Sequence, residues 1–284
     1  MPGNPRAKSD EGPREIRGRD KELVSSGTHE LDSSVNWDKD SQRRFWNAWD
    51  TKYLETVSEE TLRRGTEVLG ILSSLKLERP RILEIGCGTG DFLAEAQACG
   101  CEVAGIEYSP FAAREANERL GGEFVRCGSI DTVSVPPAAY DAVVFFDVIE
   151  HMRSPRSFLE RVYEALRPGG VVALVTPSLD SWSRRSLGRY WMEYKTEHLV
   201  YFNTRGLKLL LETCGFAQIS FEPNYKLLSL DYICWHFARF RVPVISPALL
   251  AVRRLVPKTA AQALLRIPAS GIAVFAHRST KRGG

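Results

Sequence analysis

Several marks of common protein classes are missing from this sequence. It has no run of about 18 apolar residues, the length that crosses a bilayer. Its N-terminus is polar and charged, with no apolar signal core. Neither a membrane span nor secretion is expected. The six cysteines, at 87, 99, 101, 127, 214 and 234, contain no C-x-x-C pair and no zinc spacing. They read instead as reduced core thiols of a cytoplasmic protein. No nucleic-acid-binding module is present, so no nucleic acid is expected as a partner. Net charge is also small, +3 over 284 residues, and an average that low says little about partners. The local shortage of acid says more: from Tyr232 to the C-terminus there is no Asp or Glu.

What the chain does have is a strand, a glycine turn and a helix start over Arg81–Asp91. Ile82, Leu83 and Ile85 lead into Gly86-Cys87-Gly88-Thr89-Gly90, and Phe92–Cys99 reads as helical. Glycines let the backbone turn sharply and approach a ligand. The helix start adds unpaired N–H groups and partial positive charge. Dinucleotides and S-adenosylmethionine (SAM) both use this arrangement, and spacing separates them. A dinucleotide fingerprint, G-x-G-x-x-G, needs its third glycine where Asp91 stands. Here the pattern is G-x-G-x-G with Glu84 ahead of it, which resembles motif I of the class I SAM-dependent methyltransferases.

The following elements alternate between strand and helix. Glu102–Ile106 is a strand ending in Glu107, about 20 residues past the glycine turn, where an acid can accept both ribose hydroxyls. Tyr108 stands beside it for the adenine. Ser109-Pro110 opens a helix to Leu120, Glu123–Arg126 is a short strand, and Tyr140–Phe146 is an apolar strand suited to the middle of a parallel sheet. Pro155–Leu166 is helical, and Val171–Thr176 is the next strand. The succession D-V-I-E-H (Asp147–His151), then L-R-P-G-G-V-V-A-L-V-T-P, resembles the ubiquinone-biosynthesis-like branch of small-molecule methyltransferases. The likeness runs from Arg81 to Phe216.

That resemblance implies a Rossmann-like α/β fold with seven mostly parallel strands and an antiparallel last strand. It places strand six at Ile219–Glu222 and strand seven at Ile272–His277. It also implies SAM as cofactor, held by Glu84, Gly86, Cys87, Gly88, Gly90, Glu107, Tyr108, Ser129, Ile130 and Asp147. Related enzymes carry an Asp for the adenine amino group where Ser129 stands, with Asp131 displaced by two. His151 is the first candidate base for a hydroxyl acceptor and His198 the second. Some relatives hold a divalent metal with E-x-x-E-H. Asp147, Glu150 and His151 echo that motif with Asp in first place, and no metal is assigned.

Outside the core, residues 1–34 read as a disordered tail. Residues 35–80 read as a helical cap, with Phe45, Trp46, Trp49 and Tyr53 on one helix face and Thr56-x-x-Glu59 as a capping box. Residues 81–222 form the cofactor-binding core. Pro223–Gly271 is a basic, apolar helical insert, and 272–284 hold the last strand and tail. The insert interleaves Arg239, Arg241, Arg253, Arg254, Lys258 and Arg266 with Trp235, Phe237, Leu250 and Leu255. It can pack on the sheet edge, form a dimer contact or lie on an anionic membrane surface. The expected activity is methyl transfer to a small-molecule oxygen: a quinone precursor, a sugar or lipid-linked glycan, or a secondary metabolite. Two rivals remain open, a SAM-binding module without transfer activity and an NAD(P)-dependent oxidoreductase.

Overall fold

A computed structural model describes Gly70, residues 78–239 and residues 242–280. The expected tail and the aromatic cap helix lie outside the described residues. Seven strands form one sheet: β1 (Arg81–Ile85), β2 (Glu102–Glu107), β3 (Val125–Cys127), β4 (Tyr140–Phe146), β5 (Leu166–Pro177), β6 (Phe216–Ser229) and β7 (Leu264–Arg278). Their order is β3-β2-β1-β4-β5-β7-β6. The first five are parallel, and β7 runs antiparallel to both β5 and β6. The expected seven-stranded architecture is present.

Both faces of the sheet are covered, and the alternation along each strand shows it. Leu83, Val143 and Phe145 join one core with Phe158, Leu159 and Val162 of α3 (Pro155–Ala165) and, beyond the short α4 (Trp182–Leu187), Leu207 and Leu211 of α5 (Thr204–Thr213). Ile82, Ala142 and Val144 join the other, with Phe92, Leu93 and Ala96 of α1 (Asp91–Ala98) and Ala113 and Ala116 of α2 (Pro110–Leu120). Side chains two apart share a face, so continuous apolar runs such as Ala142–Phe145 are what a sheet buried on both sides requires.

Helix starts follow local chemistry. Ser109 accepts from the Ala112 N–H at 3.2 Å with Pro110 in the first turn, and Gly121 closes α2 at φ 72°. At α5 the cap is Asn203, whose Oδ1 accepts from the Gly206 N–H at 2.7 Å. Thr204 is already helical, and its N–H donates to Asp180 at 2.8 Å.

The last two strands run well past their expected bounds. β6 and β7 stay paired as far as Ser229↔Leu264. The helices between them are therefore confined to α6 (Leu230–Arg239), α7 (Ile245–Leu255) and α8 (Lys258–Ala261). Pro223 does not end β6, because β6 is the sheet edge, where a missing N–H costs no ladder bond. β6 is parallel to β5, so this ribbon and its helices emerge at the carboxyl end of the sheet. That is the end where ligands bind in open α/β sheets. No helix among the described residues is long and apolar enough to cross a membrane.

Candidate functional site

The glycine turn after β1 has three left-handed residues in alternation: Gly86 at φ 75°, Gly88 at 54° and Gly90 at 76°. Side chains also have no room at two of them. A Cβ at Gly86 would come within 2.7 Å of the Val148 methyl, and one at Gly90 within 3.0 Å of Ala116. Gly86 thus brings the turn directly against the 147–151 segment. The Gly86 N–H donates to the Ile106 carbonyl at 2.7 Å. Cys87 is buried, and that burial pushes its thiol pKa well up, so it packs rather than reacts.

Glu107 ends β2 facing this turn. Its carboxylate accepts from the Gly88 N–H and from the Ser109 N–H, each at 2.8 Å. It is therefore fixed in orientation before any ligand arrives. Glu84 is buried at 2 % exposure, and its Oε2 has no hydrogen-bond partner among the described residues. Burial first, then the charges of Glu107 and Asp91, raise its pKa well above the usual carboxylate range. Three acids thus converge on the turn. Asp91, in the place of a third glycine, is tied to Arg119 and to the Thr89 hydroxyl. A pyrophosphate would meet this acidic set with repulsion. An adenosyl group with an α-ammonium and a sulfonium supplies the cations it calls for. The orphaned Glu84 oxygen fits the ammonium, and Glu107 fits a ribose diol.

The adenine side is less defined. Tyr108 and Ser129 are half-buried and Ile130 is buried, and Ser129 closes a turn with Thr132. Asp131 instead pairs with Arg161 at 3.1 Å, so the displaced acid is engaged away from the turn.

A second cluster stands at the end of β4. Asp147 takes a left-handed conformation at φ 53° while its N–H donates to Val175, an uncommon setting for a residue with a side chain. The bend carries Glu150 and His151 over the sheet end. Glu150 is buried at 1 % exposure. Its Oε2 accepts from the Thr176 hydroxyl at 3.0 Å, and its Oε1 has no partner among the described residues. Burial, then the Asp147 charge, raises its pKa. His151 Nδ1 lies 2.9 Å from the Glu197 carbonyl, and His198 Nδ1 lies 2.9 Å from the Glu193 carbonyl. Carbonyls only accept, so in each ring Nδ1 carries the proton and Nε2 the lone pair. The two rings meet edge to face at 4.8 Å. An aromatic wall continues from His198 to Tyr201, Tyr194 and Trp191, with centroids 5.9, 5.4 and 5.1 Å apart in turn.

Ligand atoms of Glu150, His151 and His198 lie within 4.8 Å of one another. The structure therefore assembles a trio in which His198 stands beside Glu150 and His151. Three lone-pair donors in one place can hold a divalent cation or share protons with an acceptor hydroxyl. Glu150 and Thr176 were not singled out as catalytic candidates from the sequence. Only folding reveals that they meet.

Desolvation lowers the His151 pKa to about 4 and that of His198 to about 3. Both are neutral bases near pH 7. Between pH 6.5 and 4 the unfolded chain binds protons that the folded chain refuses, so stability falls as pH falls through that window. For His151 the loss at pH 5 is about 2 kcal/mol. Urea midpoints at pH 7 and pH 5 should show a smaller acid drop in His151→Asn than in the parent. An equal drop in both would contradict the assignment.

A family model described as a methyltransferase domain matches residues 53–220, more than half of the chain. The chain belongs to this methyltransferase family. Over 138 residues it is 33% identical to a protein of Mycolicibacterium smegmatis named a probable S-adenosylmethionine-dependent methyltransferase, a match covering 48% of this chain and 51% of that one. The ubiquinone biosynthesis O-methyltransferase of Schizosaccharomyces pombe mitochondria is 28% identical over 205 residues, covering 68% and 72%. The chain spans about half the length of the first of these relatives. A methyltransferase structure from Thermotoga maritima shares the fold, with a TM-score of 0.54 at 18% identity over 84% of this chain and 98% of that one.

Proposed function

We propose that this methyltransferase-family chain transfers a methyl group from SAM to an oxygen of a small-molecule acceptor. The observation that carries the reading is the acid pair around the left-handed turn: Glu107 held by two backbone N–H groups, and Glu84 buried with an oxygen unpartnered. In this reading Glu107 takes the ribose hydroxyls, Glu84 takes the α-ammonium, and Gly86, Gly88 and Gly90 allow close approach. Tyr108, Ser129 and Ile130 flank the adenine, and Asp147 shapes the space between the two clusters. Bound SAM supplies an activated methyl on sulfur. What the chain must add is alignment and a proton acceptor. His151 provides the latter through Nε2, with the Glu197 carbonyl holding the ring's tautomer. His198 and Glu150 complete a neutral wall against which an acceptor hydroxyl can sit. An oxygen acceptor also agrees with the O-methyltransferase named among the relatives.

Calorimetry with S-adenosylhomocysteine and with NAD tests the cofactor directly. The reading expects binding of the first and none of the second, and tight NAD binding alone would reverse it. A peripheral contact with anionic membrane is a further part of the proposal. It is supported by the acid-free stretch after Asp231 and by Trp235 and Leu255 exposed on α6 and α7. Co-sedimentation should rise with the anionic lipid fraction of vesicles, and indifference to lipid charge would retire it.

A further inference from the structure

Among the described residues, two buried side-chain atoms lack a hydrogen-bond partner, and both are carboxylate oxygens: Glu84 Oε2 and Glu150 Oε1. Each such atom in a native site calls for an explanation, because leaving it unpaired is costly. Glu84 has one in the α-ammonium of SAM. Glu150 does not yet.

The fold holds Glu150 firmly. Its backbone carbonyl accepts from the Leu199 N–H at 2.8 Å and from the Val200 N–H at 3.1 Å. Its Oε2 accepts from the Thr176 hydroxyl of β5 at 3.0 Å. Loop and strand thus fix the residue, and Oε1 is the atom left over. The groups around it are Asp147 on the same turn, Glu193, His151 and His198. Glu193 is paired with Lys195 at 3.2 Å, and both imidazoles are neutral near pH 7. Burial and the Asp147 charge make an uncompensated negative charge here expensive. No cation from these groups offsets it.

The missing partner is therefore a positive charge at the carboxyl end of β4, beside the base that receives the acceptor's proton. SAM carries two cationic centres, the α-ammonium and the sulfonium, and the chain holds two orphaned carboxylate oxygens. A sulfonium has no N–H to donate and pairs by charge alone, so an acid close by is enough. The segment that carries Glu150 also lies against the glycine turn, since a Cβ at Gly86 would meet the Val148 methyl at 2.7 Å. We propose that Glu150 Oε1 is the counter-charge of the SAM sulfonium, as Glu84 Oε2 is of the α-ammonium. With the sulfonium present, the pair is neutral overall. The inference rests on the methyl-transfer reading for its cofactor and gives Glu150 a binding role of its own. It also separates SAM from its product, because S-adenosylhomocysteine keeps the ammonium but has an uncharged sulfur.

Calorimetry on the full chain with SAM and with S-adenosylhomocysteine, in EDTA so that no metal ion occupies the trio, tests it. The parent should bind SAM at least about ten-fold more tightly than S-adenosylhomocysteine. Glu150→Gln should abolish that preference, weakening SAM about ten-fold or more and leaving S-adenosylhomocysteine within about two-fold. The Gln carbonyl can still accept from Thr176, so the turn keeps its anchor. Glu84→Gln should weaken both ligands alike, since both carry the ammonium. If Glu150→Gln fails to fold, the preference of the parent decides. The proposal is overturned if the parent binds SAM and S-adenosylhomocysteine equally, or if Glu150→Gln weakens both to the same extent. A parent that binds neither ligand refutes the cofactor reading itself, an outcome distinct from equal binding of the two.

Discussion

Replacing Glu107 with alanine is expected to raise the dissociation constant for S-adenosylhomocysteine about a hundred-fold or more. Two charge-assisted hydrogen bonds to ribose hydroxyls are worth about 1.5–3 kcal/mol each. The substitution removes both, and it also frees the Gly88 and Ser109 N–H groups that the same carboxylate now holds at 2.8 Å. Glu107→Gln keeps the size and one accepting oxygen, so its loss should be smaller. Calorimetry reads both. A change below about five-fold in Glu107→Ala would mean that Glu107 merely braces the turn.

The second large effect belongs to His151. His151→Ala should lower kcat about 10²–10⁴-fold, the range for a general base, and leave S-adenosylhomocysteine affinity within about two-fold. The reason lies in geometry and charge together. The Glu197 carbonyl fixes the proton on Nδ1, and burial keeps the ring neutral down to about pH 4. Nε2 is thus a base at every working pH. Unchanged turnover would dismiss His151 as a base. Absent turnover in the parent with every acceptor, alongside intact cofactor binding, would favour a binding module. If EDTA abolishes turnover and Mg²⁺ or Zn²⁺ restores it, the Glu150–His151–His198 trio acts as a metal site.

The parallel core was legible because its signals are local. Ala142–Phe145 reads as a strand buried on both faces, and Ser109-Pro110 and Ser154-Pro155 announce helix starts. Glu107 was legible for the same reason: one βαβ unit has a nearly fixed length. The two orphaned carboxylates were not, since burial depends on packing from residues far apart in sequence. His198 meets Glu150 and His151 across 47 positions of chain, a closure no spacing rule reports. The long ribbon was missed because Pro223 reads as a breaker, and its tolerance depends on β6 lying at an edge. Pro268, on β7, lies beyond Gly271, where the pairing with β5 has already ended. At α5, Asn203 and Thr204 are both good caps by composition, and the Asp180 carboxylate decides by taking the Thr204 N–H.

The most direct check on the whole account is a crystal structure of the chain grown with S-adenosylhomocysteine. The account predicts both ribose hydroxyls on the Glu107 carboxylate and the α-ammonium against Glu84 Oε2, with the sulfur directed toward the Glu150–His151–His198 trio. A nucleoside bound elsewhere, or a turn left without ligand at saturating concentration, would contradict it.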